Sequence, residues 1–232
     1  MSCRRSRFVS PASAIANPFW SPAEVAASIN GTIAHLAARK VLAYPTETVY
    51  GFGGATDHES VESLVRMKGR PEGKPFLILV ASSEMVTRLD LRLTGYASRL
   101  AARHWPGPLT LVLGGGERRL PERLRGPEGG VAVRWTSHPN LARLLKAYGE
   151  PLTSTSANRP WVPPAMTARE IEEQWSAQIG RGLLRVLDGG RLMPSPPSTV
   201  VDCMGARARV IRPGAISSAT LRESVPDLIG DL

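Results

Sequence analysis

The segment YPTETVYGFGG, residues 44–54, places two threonines, a glutamate and a tyrosine directly before three glycines. It follows the short apolar run VLA, so we expect a strand to end here and a polar loop to follow. Glycines let a ligand approach the backbone closely, and hydroxyl groups orient it. The segment therefore predicts a ligand-binding loop at the end of a strand.

Outward from this segment, stretches of helical period alternate with short apolar runs, which is the pattern of an α/β domain. Helix starts are indicated by capping boxes at Ser21–Glu24 and Thr167–Glu170, and one helix is expected to begin after Asp57 and to end at Gly69. The predicted strands are VLAYP, FLILV, LTLVL, GVAVRW, PLTSTS, LLRVL, STVVD and ARVIR. We expect one domain with a large mixed sheet and flanking helices.

Composition limits the class of partner. The chain has 232 residues and a formal net charge of +9, with a sequence pI of about 10.4. This balance favours an anionic partner such as a nucleotide, a nucleic acid or an acidic lipid. The alternative is a basic surface without a specific partner.

Cysteine use and hydropathy favour a cytoplasmic protein. Cys3 and Cys203 are far apart and neither has a partner at metal-ligand spacing, so we expect neither structural zinc nor a disulfide framework. No apolar run approaches the roughly 20 residues that span a bilayer. Residues 1–20 carry three arginines and no acid, and we expect a basic arm there, followed by a single folded domain over residues 21–232.

A second polar cluster, KGRPEGKP at residues 68–75, supplies cations. If the helix ends at Gly69, the side chains of Lys68 and Arg70 can enter one groove, and Lys74 adds a third cation. A solvated basic turn is the alternative for such a short motif.

Two further motifs lie at strand ends. STSAN, residues 154–158, places small hydroxyl side chains after a short strand, where open α/β sheets often bind ligands. Arg134 ends the apolar strand VAVR and must reach water or an anion, because burial of an unpaired charge is costly. A polar turn and simple surface exposure are the alternatives.

These motifs occur in one order along the chain: YPTETVYGFGG, KGRP, WPGPLTLVL, VAVR, STSAN, PSTVVD and VIRPGAI. The ordered set resembles the YrdC/TsaC-like family of threonylcarbamoyl-AMP synthases. The resemblance implies a twisted open mixed sheet of the YrdC-like (DHBP synthase-like) fold. It also implies a nucleotidyltransferase that forms threonylcarbamoyl-AMP and diphosphate from L-threonine, bicarbonate or CO₂, and ATP, for threonylcarbamoylation of a tRNA adenosine.

The resemblance also implies roles for individual residues. Lys68 and Arg70 would act as the catalytic pair. ATP would be held by Arg70, Lys74, Ser156, Asn158 and Arg212. Threonine would be held by Thr48, Arg134, Ser154 and Ser198. Attack of a carbamate on the α-phosphate brings anions together, so the site needs cations and Mg²⁺ rather than a strong base. Mg²⁺ is expected through ATP oxygens, with Glu47 and Asp202 as candidates for contact through water.

Departures from the family pattern concern the closure of the ATP pocket. The chain has Leu79 where many longer members have a histidine, and Gly130 where a threonine is frequent. It reads RPWVPP from Arg159, where the family commonly has a hydroxyl and a glycine. The chain resembles the short form, which acts with partner proteins that modify tRNA.

Two rival functions stay open at this point. One is a non-catalytic RNA-binding module that contacts tRNA or double-stranded RNA through its positive charge. The aromatic content of 6% offers few platforms for base stacking and counts against recognition of single strands. The other is a domain that forms a carbamoyl-adenylate from carbamoyl phosphate.

Overall fold

The structure is a computed structural model that describes residues 17–69 and 74–230. Ten strands in these ranges form a single sheet. They are β1 (Asn17–Pro18), β2 (Val41–Tyr44), β3 (Gly51–Gly53), β4 (Leu77–Val80), β5 (Leu109–Leu113), β6 (Val131–Trp135), β7 (Leu152–Ser156), β8 (Leu184–Asp188), β9 (Thr199–Asp202) and β10 (Arg209–Arg212).

The strand order is β1-β8-β2-β3-β7-β4-β6-β5-β9-β10. Four neighbouring pairs are parallel, namely β1 with β8, β2 with β8, β4 with β6 and β5 with β9, and the other pairs are antiparallel. The predicted α/β class with a mixed open sheet is confirmed. All eight predicted strands are present.

The helices are α1 (Pro22–Ala37), α2 (His58–Lys68), α3 (Ser83–Arg88), α4 (Gly95–His104), α5 (Pro139–Tyr148), α6 (Ala168–Gly180) and α7 (Ser218–Arg222), with a 3₁₀ helix at Glu122–Leu124. Among the residues described, no helix combines the length and the apolar composition needed to cross a membrane.

Helix starts follow the predicted caps. At α1 the Ser21 N–H donates to Glu24 Oε2 at 2.8 Å, and the Glu24 N–H donates to Ser21 Oγ at 3.3 Å, which completes the capping box. The second box is only half formed. Glu170 N–H donates to Thr167 Oγ1, but Glu170 Oε2 accepts from Met166 N–H instead of the Thr167 N–H.

Two short strands escaped sequence prediction. β3 consists of Gly51, Phe52 and Gly53, and glycine is depleted in strands. Here the glycines are required by close packing, because a Cβ on Gly53 would clash with the carbonyl oxygen of Thr153. β3 lies between β2 and β7 and so connects the two halves of the sheet.

Residues 17–20, the last part of the expected basic arm, pack against the domain. β1 pairs with β8, and Phe19 is fully buried. Asn140 Nδ2 donates to the carbonyl oxygens of Phe19 at 2.8 Å and Trp20 at 3.0 Å. An apolar side chain and two backbone acceptors therefore anchor residues 17–20 to the domain, while residues 1–16 lie outside the described ranges.

Candidate functional site

One cleft of about 600 Å³ collects most of the predicted site residues. Hydroxyl side chains, two arginines and small apolar side chains line it. The lining residues are Thr46, Thr48, Val49, Gly51, Pro75, Leu77, Thr110, Ala132, Arg134, Ser154, Thr155, Ser156, Pro164, Ser195, Pro197, Ser198, Val200 and Arg212. All four residues predicted for threonine, and Ser156 and Arg212 of those predicted for ATP, are among them.

The cleft extends across strands of the mixed sheet and is not confined to the carboxyl ends of parallel strands. β4 and β7 are antiparallel, with Leu77 paired to Ser154, so the first residue of β4 lies beside the middle of β7. In β6, Ala132 and Arg134 lie two residues apart and share a face. This alternation aims Arg134 into the cleft.

The loop after β2 is held by the hydroxyl of Thr46. Thr46 Oγ1 accepts from the N–H groups of Thr48 at 3.1 Å and Val49 at 3.2 Å, and donates to the Val49 carbonyl oxygen at 2.7 Å. Side-chain bonds of this kind replace backbone turn hydrogen bonds. They fix the position of Thr48 at the cleft.

Elsewhere in the lining, Ser198 connects Arg212 to Thr110. Arg212 Nη2 donates to the carbonyl oxygen of Ser198 at 2.7 Å and to its Oγ at 3.0 Å. Ser198 Oγ also shares a hydrogen bond with Thr110 Oγ1 at 2.8 Å. Burial, followed by the positive charge of Arg134, lowers the pKa of Arg212. The positive charges of the two guanidinium groups therefore repel each other within one cleft, which favours a ligand with more than one negative charge.

Arg134 is almost buried and is paired with Glu47. The side chains are 5% and 15% exposed, and Arg134 Nε lies 3.6 Å from Glu47 Oε1. Glu47 Oε2 accepts from Thr136 Oγ1 at 2.9 Å. A nearby carboxylate offsets part of the cost of burying the arginine.

Lys68 is bonded to the turn that follows β7, and its predicted catalytic role stays a prediction. Its Nζ donates to the carbonyl oxygen of Ser156 at 2.7 Å, to Asn158 Oδ1 at 2.6 Å and to the Asn158 carbonyl oxygen. Lys68 is buried and does not line the cleft. In this geometry it holds the turn that follows β7.

The other two predicted cations, Lys74 and Arg70, are not among the described residues that line the cleft. Lys74 lines a neighbouring depression with Arg123 and Arg125, and this depression shares Pro75 with the cleft. Arg70 lies outside the described ranges. The predicted roles of Arg70 and Lys74 in ATP binding stay predictions.

Asn158 caps the other side of this turn. Its Oδ1 accepts from Ser156 Oγ at 2.6 Å, and its Nδ2 donates to the Val162 carbonyl oxygen at 2.6 Å. Asn158 does not line the cleft, but it orients Ser156, which does.

The departures from the family pattern have visible consequences. Leu79 is buried in β4, and Leu77 takes the place nearest the cleft. A Cβ on Gly130 would clash with Met204 Sδ and Val112 Cγ1, so Met204 occupies the space that a larger side chain would need.

The segment RPWVPP forms a loop whose tip carries a fully exposed Trp161. Trp161 has a φ of 66°, a left-handed conformation that is uncommon for an aromatic residue. The loop is closed by a hydrogen bond from Ala165 N–H to the Ala157 carbonyl oxygen at 2.9 Å, and Pro164 reaches the cleft.

Several lining residues were not predicted. Thr110 lies in the apolar strand LTLVL, where only its hydroxyl signals a polar face, and Ser195 follows β8 in a proline-rich loop. Thr46 belongs to the first motif, and its spacing before Thr48 could have suggested the turn that it forms.

Glu47 and Asp202, the carboxylates expected to contact Mg²⁺ through water, have protein partners, and their contact with Mg²⁺ stays a prediction. Glu47 bonds Thr136 and faces Arg134, while Asp202 Oδ1 accepts from Met204 N–H at 2.9 Å. Within residues 17–69 and 74–230, no three His, Cys, Asp or Glu side chains lie close enough together to hold a metal ion. The polar side chains of the cleft are hydroxyls and arginines, and an arginine binds anions and not metal ions.

The fold and the cleft define an α/β protein with a binding site for a small anionic ligand. The family model of the Sua5, YciO and YrdC proteins, described as "Telomere recombination", matches residues 34–214. The chain belongs to this family.

Curated relatives in this family are named threonylcarbamoyl-AMP synthase. That of Pyrococcus abyssi is 34% identical over 194 residues, which cover 83% of this chain and 54% of the relative. That of Marinobacter nauticus is 36% identical over 163 residues, which cover 70% of this chain and 84% of the relative. The chain thus spans about half the length of the archaeal relative and most of the bacterial one.

A solved structure with the same fold is that of Pyrococcus abyssi Sua5 in complex with L-threonine. It has a TM-score of 0.79 and 31% sequence identity, and the match covers 87% of this chain and 58% of that chain.

Proposed function

We propose that this chain is a nucleotidyltransferase that forms threonylcarbamoyl-AMP and diphosphate from L-threonine, bicarbonate or CO₂, and ATP. The observation that carries the proposal is that Thr48, Arg134, Ser154, Ser198, Ser156 and Arg212, which come from separate parts of the sequence, line one cleft. Relatives named for this activity and a neighbour bound to L-threonine support it.

The chemistry requires a site rich in positive charge. Threonine amine and bicarbonate give a carbamate and water. A carbamate oxygen then forms a bond to the α-phosphorus of ATP, and the bond from that phosphorus to the leaving diphosphate breaks. Arg134 and Arg212 reduce the repulsion between the carbamate and the phosphates. Mg²⁺ that arrives with ATP would supply further charge neutralisation.

Threonine binding is proposed on the side of Arg134. A guanidinium can donate two parallel hydrogen bonds to a carboxylate. Thr48, Ser154 and Ser198 supply hydroxyls for the substrate hydroxyl and the carbamate. Ser156 and Arg212 are left for the nucleotide, with Arg70 and Lys74 as further predicted phosphate contacts.

The direct test is an assay of diphosphate and adenylate with purified protein, ATP, Mg²⁺, bicarbonate and threonine. We expect diphosphate release only when threonine and bicarbonate are both present. Equal release with carbamoyl phosphate and no threonine would favour the carbamoyl-adenylate alternative. No release, together with tight RNA binding, would favour the binding module.

Arg134→Lys tests the division of the cleft. Lysine keeps the charge but loses the planar fork, so the KM for threonine should rise much more than the KM for ATP. Saturation kinetics in each substrate measure both values. An ATP defect equal to or larger than the threonine defect would assign Arg134 to the nucleotide.

The product of this reaction is proposed to serve tRNA modification. A net charge of +9 supports an interaction with tRNA or double-stranded RNA. We propose that partner proteins transfer the threonylcarbamoyl group to tRNA, in the cytoplasm.

A further inference from the structure

Glu47 lies in the first motif but has no part in the proposed contacts with either substrate. Thr46, Thr48 and Val49 line the cleft, whereas Glu47 does not. The turn around Thr46 Oγ1 fixes the backbone on both sides of it. The Glu47 side chain therefore leaves a loop whose backbone is held by hydrogen bonds, and it is not part of the lining of the cleft.

Each carboxylate oxygen of Glu47 faces a different residue of β6 or its continuation. Oε2 accepts from Thr136 Oγ1 at 2.9 Å, and Oε1 lies 3.6 Å from Arg134 Nε. Thr136 is held in turn, because its Oγ1 accepts from the His138 N–H at 3.1 Å. These hydrogen bonds fix the position of the Glu47 carboxylate.

The facing atoms of the ion pair have no alternative partner. Glu47 Oε1 and Arg134 Nε are both buried, and neither has a hydrogen-bond partner within the part of the chain that the structure describes. In such surroundings the loss of one charge leaves the other uncompensated. Because Nε is directed at Glu47, the two Nη groups of Arg134 are the ones available to bind a ligand in the cleft.

Arg212 makes this orientation more important. Its pKa is lowered by burial and by the charge of Arg134, so the two guanidinium groups repel each other in the absence of a ligand. The carboxylate of Glu47 attracts the Nε end of the Arg134 guanidinium and so opposes a rotation that would move this end away from Glu47.

We propose that Glu47 is a positioning residue that holds the Arg134 fork in the orientation that receives the carboxylate of the amino-acid substrate. This inference rests on the proposed function. It is an alternative to the expectation that Glu47 contacts Mg²⁺ through water, since both of its oxygens are directed to protein groups.

The first variant is Glu47→Gln, which keeps an acceptor for Thr136 and removes the charge that faces Arg134. Outer-shell partners of metal ligands change affinity by about 10- to 100-fold when mutated, and we expect a similar rise in the KM for threonine. The KM for ATP and the Mg²⁺ concentration at half-maximal rate should change by less than about twofold. Steady-state kinetics with each substrate varied in turn distinguish this small change from the larger rise in the KM for threonine.

A double-mutant cycle with Arg134→Lys separates positioning from a general loss of structure. If Glu47 acts through Arg134, the double variant should have the same KM for threonine as Arg134→Lys alone, because the group that Glu47 orients is already gone. Additive effects would overturn the proposal. So would a wild-type KM in Glu47→Gln, or a defect mainly in ATP or Mg²⁺ dependence.

Thr136→Val provides a second variant if Glu47→Gln does not fold. It removes the hydroxyl that orients Glu47 and leaves the ion pair chemically intact. We expect a smaller rise in the KM for threonine in the same direction, and an unchanged KM would overturn the proposal. Failure of the proposed function is distinguishable, because the wild-type protein would then show no threonine-dependent release of diphosphate.

Discussion

Lys68 makes contacts that its sequence context does not reveal. In the sequence it pairs with Arg70 as a second phosphate cation. In the structure its ammonium group donates to three oxygen atoms of Ser156 and Asn158. The sequence could not predict this, because the residues that accept these bonds lie almost 90 positions away.

Lys68→Met should therefore lower both stability and activity. Acceptors left unpaired cost about 1 to 3 kcal/mol of unfolding free energy when buried, and Ser156 and Asn158 are half-buried, so we expect a loss at the lower end of that range. A displaced turn should also raise the KM for ATP through Ser156. Urea denaturation and steady-state kinetics measure the two effects.

Arg70→Ala is the comparison, with an expected loss of about 2.7 to 4 kcal/mol of transition-state stabilisation if Arg70 contacts phosphate. Wild-type stability in Lys68→Met would show that the bonds to Ser156 and Asn158 do not stabilise the fold.

Other residues were predictable to different degrees. Thr48, Arg134 and Ser198 were assigned from the ordered motifs, and the structure brings them to the same cleft. Thr110 was missed because an isolated hydroxyl in an apolar strand is uninformative until the pairing of β5 with β9 places it beside Ser198.

At the scale of elements, α5 begins with an uncommon cap. His138 Nδ1 accepts from the Leu141 N–H at 3.3 Å, which requires an unprotonated nitrogen. Burial lowers the pKa of His138, and the negative charge of Glu47 only partly opposes this effect. The neutral ring is thus the form that the folded protein favours.

This cap predicts a loss of stability in mild acid. The unfolded chain has the higher histidine pKa, near 6.5, so it binds more protons as the pH falls below that value, and the stability contributed by the neutral ring is lost. His138→Asn keeps a cap acceptor that does not titrate. We expect the unfolding free energy to fall less between pH 8 and pH 5.5 in this variant than in wild type. Equal pH dependence would show that the cap is not responsible.

Prediction of the elements succeeded where local signals were strong. The Ser21 box and the Asp57 cap marked α1 and α2 correctly, and Gly69 ends α2 with a φ of 61°. β3 was missed because its glycines reflect close approach to β7, and this contact depends on the strand order. β1 has only two residues and no periodic pattern to detect.

At the scale of the whole molecule, the strand order assembles the site. β7 lies between β3 and β4, and β9 lies beside β5, so hydroxyls near residues 48, 154 and 198 meet across the sheet. Pairings this distant in sequence follow from burial of both faces of the sheet, and no local pattern specifies them. The family resemblance was therefore the part of the sequence analysis that predicted the assembled cleft.

The amino-terminal edge of the sheet gives a prediction about the whole fold. Phe19 is fully buried, and Asn140 on α5 binds the backbone at residues 19 and 20, so these residues connect the edge of the sheet to a helix. A protein that lacks residues 1–20 should be less stable than one that lacks residues 1–16 by about 3 to 5 kcal/mol, the usual cost of deleting a buried phenylalanine side chain. Phe19→Ala in the full chain is the matched control and should lose a similar amount. Denaturant unfolding of the four proteins provides the comparison, and equal stability of the two truncated proteins would place residues 17–20 outside the cooperative unit.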